Sequence, residues 1–241
     1  MKILIATPVH EDRETFQRYL TSLHNLDTEG LEVDYFFIFH NCDLEDMVDC
    51  SYYKYKASTD YKVTETTHHW SSKSISHMST MRNMIAVKAK KYDYLFMVDS
   101  DIILHRNTLK CLLSKKKDII ANIFWTWTDK GAWANAWLKD QSDVDKETLV
   151  QWQEVGTYKV GGTGACILVS TEVYNYADYS PIYNLSLVGE DRFFCTKAIC
   201  AGYTVWLDTT YPAIHLYTDR EKQRYDANLT HFEMMNRMME D

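Results

Sequence analysis

The sequence has few of the residues that build flexible linkers, with 8 glycines and 3 prolines in 241 residues. A Gly-rich or Pro-rich linker is therefore not expected. Apolar runs are short as well: none approaches the roughly 20 residues of a membrane-spanning helix. The apolar stretch 1–9 is too short for a signal peptide. These absences predict a soluble, cytoplasmic protein without a transmembrane segment, for which peripheral membrane contact stays open.

Positive charge and paired cysteines are also scarce. Lys and Arg number 26 against 34 Asp and Glu, a formal net charge of −8, whereas nucleic-acid-binding proteins normally carry a basic excess. The six cysteines form no CxxC pair and no His-linked spacing typical of a zinc site. Nucleic acid is therefore not expected as a partner, and the scattered thiols are typical of a reducing compartment.

Short apolar runs alternate with segments of helical spacing along the chain. The runs predict strands at residues 3–6, 33–39, 52–55, 94–98, 118–124, 165–169 and 203–207. Apolar residues three and four apart predict helices at 15–26, 73–91, 107–113, 191–201 and from 218 onward. The alternation indicates one α/β domain, with a mostly parallel central sheet and helices on both faces.

Residues 125–157 depart from this alternation. The segment is polar, carries Trp125, Trp127, Trp133 and Trp137, and shows only a short helical possibility at 132–138. Indole faces stack on sugars and hydrophobic acceptors, and they equally pack in protein cores. A stretch of this length without a clear element is usually functional or mobile.

Two carboxylates follow the predicted strand 94–98 in the run Asp99-Ser100-Asp101. Alternate residues of an extended segment face the same side, so both carboxylates can point into the crevice beyond the strand ends. Hard oxygen ligands suit Mg²⁺ or Mn²⁺ carrying a diphosphate. The same pattern at Asp143 and Asp145 lies in the polar segment and is interpreted as a solvated loop.

Three further motifs each have a purely structural alternative. Arg82 lies on the predicted helix 73–91, where a solvated position is the usual case. Glu190 and Asp191 open a predicted helix, where acidic residues complement the helix dipole. His215 lies between apolar neighbours, a setting typical of a core histidine.

The glycine run 161–164 precedes the predicted strand 165–169. It is either a turn into that strand or a place where backbone approaches a ligand closely. It lacks the lysine of a P-loop and the spacing of a dinucleotide-binding fingerprint. ATPase and dehydrogenase functions are therefore not favoured.

In their order along the chain, these motifs resemble the GT-A glycosyltransferases, especially family 2-like enzymes and the Anp1-type mannosyltransferases. The matching stretches are residues 3–8, 81–83, 94–101, 161–169, 189–203 and 215. Residues 125–157 and the C-terminal helix have no counterpart. The resemblance implies a nucleotide-sugar-binding half (1–124), an acceptor and catalytic half (125–217) and a C-terminal helix (218–241) within a single catalytic domain.

The resemblance implies a donor site for a UDP- or GDP-sugar at the ends of the first strands. Thr7 and Pro8 are implied to lie beside the base and ribose, and Arg82 to help hold the diphosphate. Ser100 belongs to the same nucleotide-sugar site, between its two carboxylate neighbours.

The resemblance also implies a divalent cation, Mn²⁺ or Mg²⁺. Asp99 would reach the ribose or the metal shell, Asp101 would bind the metal directly, and His215 looks like the third ligand. An imidazole ligand tilts the preference towards Mn²⁺.

On the acceptor side, the resemblance implies Asp191 as the catalytic base of an inverting enzyme and Glu190 as a second catalytic residue beside the acceptor. Gly162, Gly164 and Trp125 are implied to lie near the acceptor. The predicted activity is metal-dependent transfer of a sugar to the hydroxyl of a glycan, a lipid-linked acceptor or a protein.

Two alternatives belong to other functional classes. A sugar nucleotidyltransferase shares the α/β design, but such enzymes usually carry a Gly-rich basic loop after the first strand, and loop 7–12 here is acidic and has no glycine. A non-catalytic nucleotide-sugar or carbohydrate-binding module is the other alternative. The presence of Asp99, Asp101 and Asp191 together argues against it.

Overall fold

The computed structural model describes residues 1–56, 72–128, 131–139, 144–183 and 189–227, which form a mixed α/β fold. The strands are β1 (Lys2–Val9), β2 (Glu32–His40), β3 (Ser51–Tyr55), β4 (Tyr94–Val98), β5 (Ile102–Ile103), β6 (Ile119–Thr128), β7 (Gly131–Ala134), β8 (Ala136–Trp137), β9 (Thr157–Val160), β10 (Gly162–Thr163), β11 (Cys166–Ser170) and β12 (Val205–His215). The helices are α1 (Arg13–His24), α2 (Ser72–Ala89), α3 (Thr108–Ser114), α4 (Lys146–Gln151), α5 (Glu190–Cys200) and α6 (Asp219–Asp226).

Ten of the described strands form one sheet in the order β3-β2-β1-β4-β11-β6-β12-β5, with β7 paired to β6 and β9 paired to β12. Strands β1, β2, β3, β4, β6 and β12 share one direction, while β5, β7, β9 and β11 run the opposite way. The predicted mostly parallel central sheet is therefore confirmed, with β11 as an antiparallel insertion between β4 and β6.

The strands are apolar on both sides because helices cover both faces of the sheet. On β1, Leu4 and Ala6 belong to the core under α2 and α5, whereas Ile3 and Ile5 belong to the core under α1 and α3. This period-two division of a continuous apolar run is what a doubly covered sheet requires. The predicted helices on both faces are confirmed.

The topology brings distant segments to the carboxyl edge of the sheet. β1 has β2 on one side and β4 on the other, so the strand order reverses there and leaves a crevice beyond the strand ends. The antiparallel β11 begins where β4 ends, and the Asp99 amide donates to the Ala165 carbonyl at 2.8 Å. The parallel β12 ends at the same edge with His215.

The segment 125–157 contains more regular structure than the sequence indicated. β6 continues to Thr128 and pairs with β7, and β8, α4 and the start of β9 follow. The helical possibility at 132–138 is wrong: Trp133 is exposed and Ala134 buried, the alternation of a strand. Short apolar runs do not separate the two periods by themselves.

Two element boundaries also differ. The strand predicted at 203–207 runs from Val205 to His215, because β6 and β9 pair with it over much of that length. The predicted C-terminal helix is described only as α6, and residues 228–241 lie outside the described residues. No helix in the described ranges has both the length and the apolar character needed to cross a bilayer.

Candidate active site

Four segments meet at the carboxyl edge and contribute charged side chains. Asp99 and Asp101 follow β4, Arg82 lies on α2, the pair Glu190 and Asp191 opens α5, and His215 ends β12. The contact between Arg82 and Asp191 joins residues 109 positions apart, and that between His215 and Asp101 joins residues 114 apart. The charged side chains that the sequence singled out therefore lie in one neighbourhood.

Arg82 is the centre of this neighbourhood. Its Nη2 donates to both carboxylate oxygens of Asp99 at 3.1 Å, and its Nη1 donates to Oδ1 of Asp191 at 2.8 Å. Its Nε lies 3.4 Å from Oε1 of Glu190. One guanidinium thus faces three carboxylates, with its five N–H donors held in one rigid plane that fixes the position of each anion.

Three carboxylates on one cation leave an excess of negative charge in a poorly solvated place. Burial, together with Asp101 and Glu190, raises the pKa of Asp99 to about 6 against the pull of Arg82. Burial, Glu190 and Asp99 likewise raise the pKa of Asp191 to about 8. Perturbed carboxyl groups of this kind are typical of functional sites.

The predicted role of Arg82 as a ligand of the donor diphosphate stays a prediction, and in the structure its guanidinium is occupied by carboxylates of the chain itself. The side chain is 2% exposed, and all three of its nitrogens face carboxylates. A buried arginine must be paired, and the nearest anions here belong to the chain itself. The structural alternative for Arg82, a solvated position on a helix face, is wrong because the side chain is buried.

His215 is not an isolated core histidine. Its Nε2 lies 2.9 Å from Oδ2 of Asp101, and its Nδ1 lies 2.7 Å from Oγ1 of Thr126 on β6. Burial opposes protonation, but the attraction of Asp101 outweighs it and raises the pKa of His215. The structure brings together two of the three residues that the sequence predicted as metal ligands, His215 and Asp101.

This pair fits a divalent cation in its chemistry. Thr126 fixes Nδ1 of His215, which leaves Nε2 directed at Asp101, and such second partners set the orientation of metal-binding imidazoles. Carboxylate oxygen and imidazole nitrogen are ligands that Mn²⁺ accepts. Within the described residues no three His, Cys, Asp or Glu side chains are already gathered as a metal site. A cation would therefore take the place of the hydrogen bond between His215 and Asp101.

The glycine run approaches a side chain of the chain itself. A Cβ placed on Gly164 would lie 1.9 Å from Oδ2 of Asp191, so only glycine lets Asp191 occupy its position. At Gly162 a Cβ would lie 2.3 Å from the Trp137 ring. Gly164 thus borders the candidate base and Gly162 makes room for the Trp137 ring. The predicted position of both glycines near an acceptor stays a prediction.

Three predicted donor residues are buried: Thr7 and Pro8 on β1, and Ser100 in the turn after β4. Thr7 is buried, with its Oγ1 2.5 Å from the Tyr19 hydroxyl, and Pro8 and Ser100 are buried as well. The structure does not support contact of these side chains with a nucleotide. For Thr7 and Pro8 the reason is that β1 continues to Val9. The pairing of β1 with β4 ends at Ala6, and proline is tolerated where a hydrogen-bond ladder is not continued.

The position of Trp125 favours the packing alternative. The indole is 6% exposed and belongs to the core cluster under α2 and α5. Its neighbours in the sheet are Ala134 on β7 and Ile214 on β12. We therefore do not assign Trp125 to the acceptor side.

Two acidic residues at the site were not singled out from the sequence. Glu11 follows β1 and is half-buried, and burial followed by the charge of Asp101 raises its pKa well above the ordinary value. Glu221 on α6 is buried and accepts hydrogen bonds from the amides of Trp127 and Thr218. The acidic loop after β1 was a sequence signal that could have identified Glu11 as a site residue. For Glu221 the local sequence indicates only its role in the capping box of α6.

Comparison with known proteins agrees with this geometry. The family model described as "Glycosyltransferase family 25, N-terminal domain" matches residues 9–184. No curated protein matches the sequence.

Several solved structures share the fold. A crystal structure of GalNAc-T7 with UDP, GalNAc and Mn²⁺ superposes with a TM-score of 0.57 at 13% identity, over 89% of this chain and 43% of that one. S. aureus TarS in complex with UDP gives a TM-score of 0.53 at 14% identity, over 88% of this chain and 59% of that one. TarS in complex with UDP-GlcNAc gives 0.51 at 14% identity, over 88% and 57%. The likenesses show the GT-A fold, and this chain spans less than two thirds of either protein.

Proposed function

The chain belongs to the glycosyltransferase family 25 N-terminal domain family, and from this premise we propose that it transfers a sugar from a nucleoside diphosphate sugar to an acceptor hydroxyl with inversion at the anomeric carbon. Asp191 is the proposed general base, and Asp101 with His215 the proposed holders of a divalent cation. The donor is a UDP-sugar, a choice supported by the UDP and UDP-GlcNAc in the TarS and GalNAc-T7 structures. The acceptor is a glycan, a lipid-linked sugar or a protein.

The observation that carries the proposal is the placement of Asp191 beside the donor-side carboxylates. Arg82 holds Asp191 and Asp99 on one guanidinium, at 2.8 and 3.1 Å. The Asp191 side chain is 20% exposed, so a substrate hydroxyl can reach it. Its raised pKa makes it a stronger base than an ordinary aspartate.

The reaction follows from this placement. The acceptor oxygen forms a bond to the anomeric carbon while the bond from that carbon to the diphosphate oxygen breaks. Asp191 takes the proton of the acceptor hydroxyl, and the electron pair of the broken bond leaves with the nucleoside diphosphate. One displacement at the anomeric carbon inverts its configuration.

A divalent cation is supported by the charge of the site. Glu11, Asp99 and Asp101 lie close enough at the carboxyl edge of the sheet to repel one another electrostatically. A diphosphate would be repelled by them unless a cation compensates, and Arg82 is already committed to carboxylates. When bound, the cation neutralises negative charge that develops on the leaving diphosphate. Asp101 and His215 would hold it, and the Mn²⁺ in the GalNAc-T7 structure supports the choice of metal.

A thermal-shift screen tests this function. The protein is melted with UDP-sugars and GDP-sugars, each with Mn²⁺ and with a chelator, because a ligand that binds only the folded state raises the melting temperature. We expect a UDP-sugar to raise it only in the presence of the metal. Equal melting temperatures under all conditions would contradict the proposed donor site, and a shift that survives the chelator would contradict the metal.

The proposed base predicts a dependence of the transfer rate on pH. Asp191 acts only when it has lost its proton, and burial and neighbouring carboxylates raise its pKa to about 8. The rate should therefore rise about tenfold per pH unit below that value and level off above it. Initial rates measured between pH 6 and pH 9.5 check this. A rate that falls across that range would place the essential group among the acids rather than the bases.

Replacing Gly164 by alanine should move the base without unfolding the protein. The added Cβ would lie 1.9 Å from Oδ2 of Asp191, and the carboxylate is the more mobile of the two partners. A displacement of about 1 Å at a reacting group can cost about 10²-fold in rate. Gly162→Ala is the matched control: its Cβ meets the Trp137 ring instead, so it should lower the melting temperature more than Gly164→Ala does. Wild-type transfer rates in Gly164→Ala would contradict the placement of Asp191.

A further inference from the structure

Glu190 is placed where it cannot touch a substrate. It opens α5, and the residue as a whole is 0% exposed. Neither of its carboxylate oxygens accepts a hydrogen bond from any described residue, and its charge partner is Arg82, with Nε 3.4 Å from Oε1. A carboxylate in such a place is costly unless it is paired. Among the described residues, Arg82 is therefore the group that compensates the buried charge of Glu190.

That contact determines how the guanidinium is oriented. The planar group offers Nε to Glu190, Nη1 to Asp191 and Nη2 to Asp99, so three anions surround it on three sides. The Tyr179 ring lies beside it, 5.8 Å from Cζ. With the Nε side occupied, rotation of the group away from Asp191 would leave Glu190 buried and unpaired. Glu190 thus holds the Nη1 donor on Asp191.

Glu190 also acts on Asp191 through its charge. Titratable or charged groups face Asp191 from each surrounding element, and they are Arg82 on α2, Asp99 after β4, Tyr174 and Tyr179 after β11, and Glu190 and Cys195 on α5. Burial comes first among the causes that raise the pKa of Asp191, and Glu190 is the strongest of the like charges. Arg82 opposes both.

We propose that Glu190 is a positioning residue rather than a catalytic one, acting on Asp191 through the shared Arg82 and through its own buried charge. The inference rests on the proposed function in naming Asp191 as the base. It corrects the prediction that Glu190 lies beside the acceptor. It also explains a buried carboxylate that no hydrogen bond among the described residues accounts for.

The test is an NMR titration of the protein labelled with carboxyl-¹³C aspartate, which needs no substrate. The Asp191 signal is identified by its loss in Asp191→Asn. In Glu190→Gln the amide oxygen can still lie opposite Nε of Arg82, so the guanidinium keeps its orientation and only the charge is removed. The pKa of Asp191 should then fall by about 1 unit, the size of shift that a neighbouring charge produces. The matched control is Glu221→Gln, because Glu221 is equally buried but bonds to Trp127 and Thr218. It should leave the Asp191 titration unchanged.

Each outcome decides the inference. An Asp191 pKa that is the same in wild type and Glu190→Gln overturns it, as does an equal fall in Glu221→Gln. If the buried amide of glutamine prevents folding, Glu190→Met removes both the charge and the partner of the Arg82 Nε at similar volume, and an Asp191 pKa that differs from the wild-type value is expected. Failure of both variants to fold would show that Glu190 serves the fold alone and would overturn the positioning role. Inactivity of the wild-type protein towards all nucleotide sugars would instead overturn the proposed function and leave the titration result standing.

Discussion

Asp191→Asn should lower the rate of sugar transfer by about 10²–10⁴-fold, the usual contribution of a general base. Asparagine keeps the size of the side chain and an oxygen that can still accept from Nη1 of Arg82, whose distance to Oδ1 is 2.8 Å. It cannot take a proton from the acceptor hydroxyl. Transfer rates of the two proteins at pH 8, together with the anomeric configuration of the product by NMR, are the measurement, and we expect the configuration opposite to that of the donor.

The same substitution should not weaken the fold. Burial and the neighbouring carboxylates raise the pKa of Asp191 to about 8, well above the ordinary aspartate value of about 3.9 in an unfolded chain. A carboxyl group whose folded-state pKa is raised loses stabilisation as pH rises towards that pKa. Asp191→Asn removes this penalty, so its melting temperature at pH 8 should equal or exceed that of the wild type.

Asp178→Asn serves as the control for the loss of activity. Asp178 is an exposed aspartate that pairs with Lys197, whereas the ion pairs of Arg82 are with Asp99, Glu190 and Asp191. This variant should transfer sugar at the wild-type rate. A wild-type rate in Asp191→Asn would put the base elsewhere, and a product of retained configuration would contradict single displacement.

Removal of the cation should abolish transfer. With a chelator in excess we expect no measurable transfer, because Glu11, Asp99 and Asp101 then repel the diphosphate. Added Mn²⁺ or Mg²⁺ should restore the transfer rate. Asp101→Ala should cost about 10²-fold or more, since metal stabilisation of a leaving group is worth several kcal/mol. His215→Ala should cost less, because it removes a neutral ligand from a site that keeps its negative charge.

Asp145→Ala is a suitable control, because Asp145 belongs to the other Asp-x-Asp pattern of the sequence. It caps α4 by accepting a hydrogen bond from the Thr148 amide at 2.8 Å. Its removal should lower stability by about 1 kcal/mol, the usual cost of losing an N-cap, and leave transfer unchanged. Full transfer in excess chelator, or Asp101→Ala as active as Asp145→Ala, would contradict the cation site.

Much of the fold follows from local pattern. Apolar runs buried on both sides identified β1, β2, β4 and β6, and helical spacing identified α1, α2 and α5, since these periods are properties of short windows. Pairs such as Asp99 and Asp101 at a strand end were informative for the same reason. Where the pattern was short, as at 132–138, the strand β7 was missed. Its pairing with β6, which a local pattern does not show, makes this segment a strand rather than a helix.

The amino-acid sequence by itself determined the α/β class, the strand end that carries Asp99 and Asp101, and the resemblance in motif order that places Asp191 and His215. Only the tertiary structure decided what each of these side chains touches. Arg82 faces three carboxylates, and the absence of a side chain at Gly164 leaves room for Asp191. Glu190 is buried and contacts Arg82. The contacts of Arg82 with Glu190 and Asp191 join residues about a hundred positions apart. They depend on which strands are neighbours and in which direction β11 runs, and no local pattern in the chain encodes that.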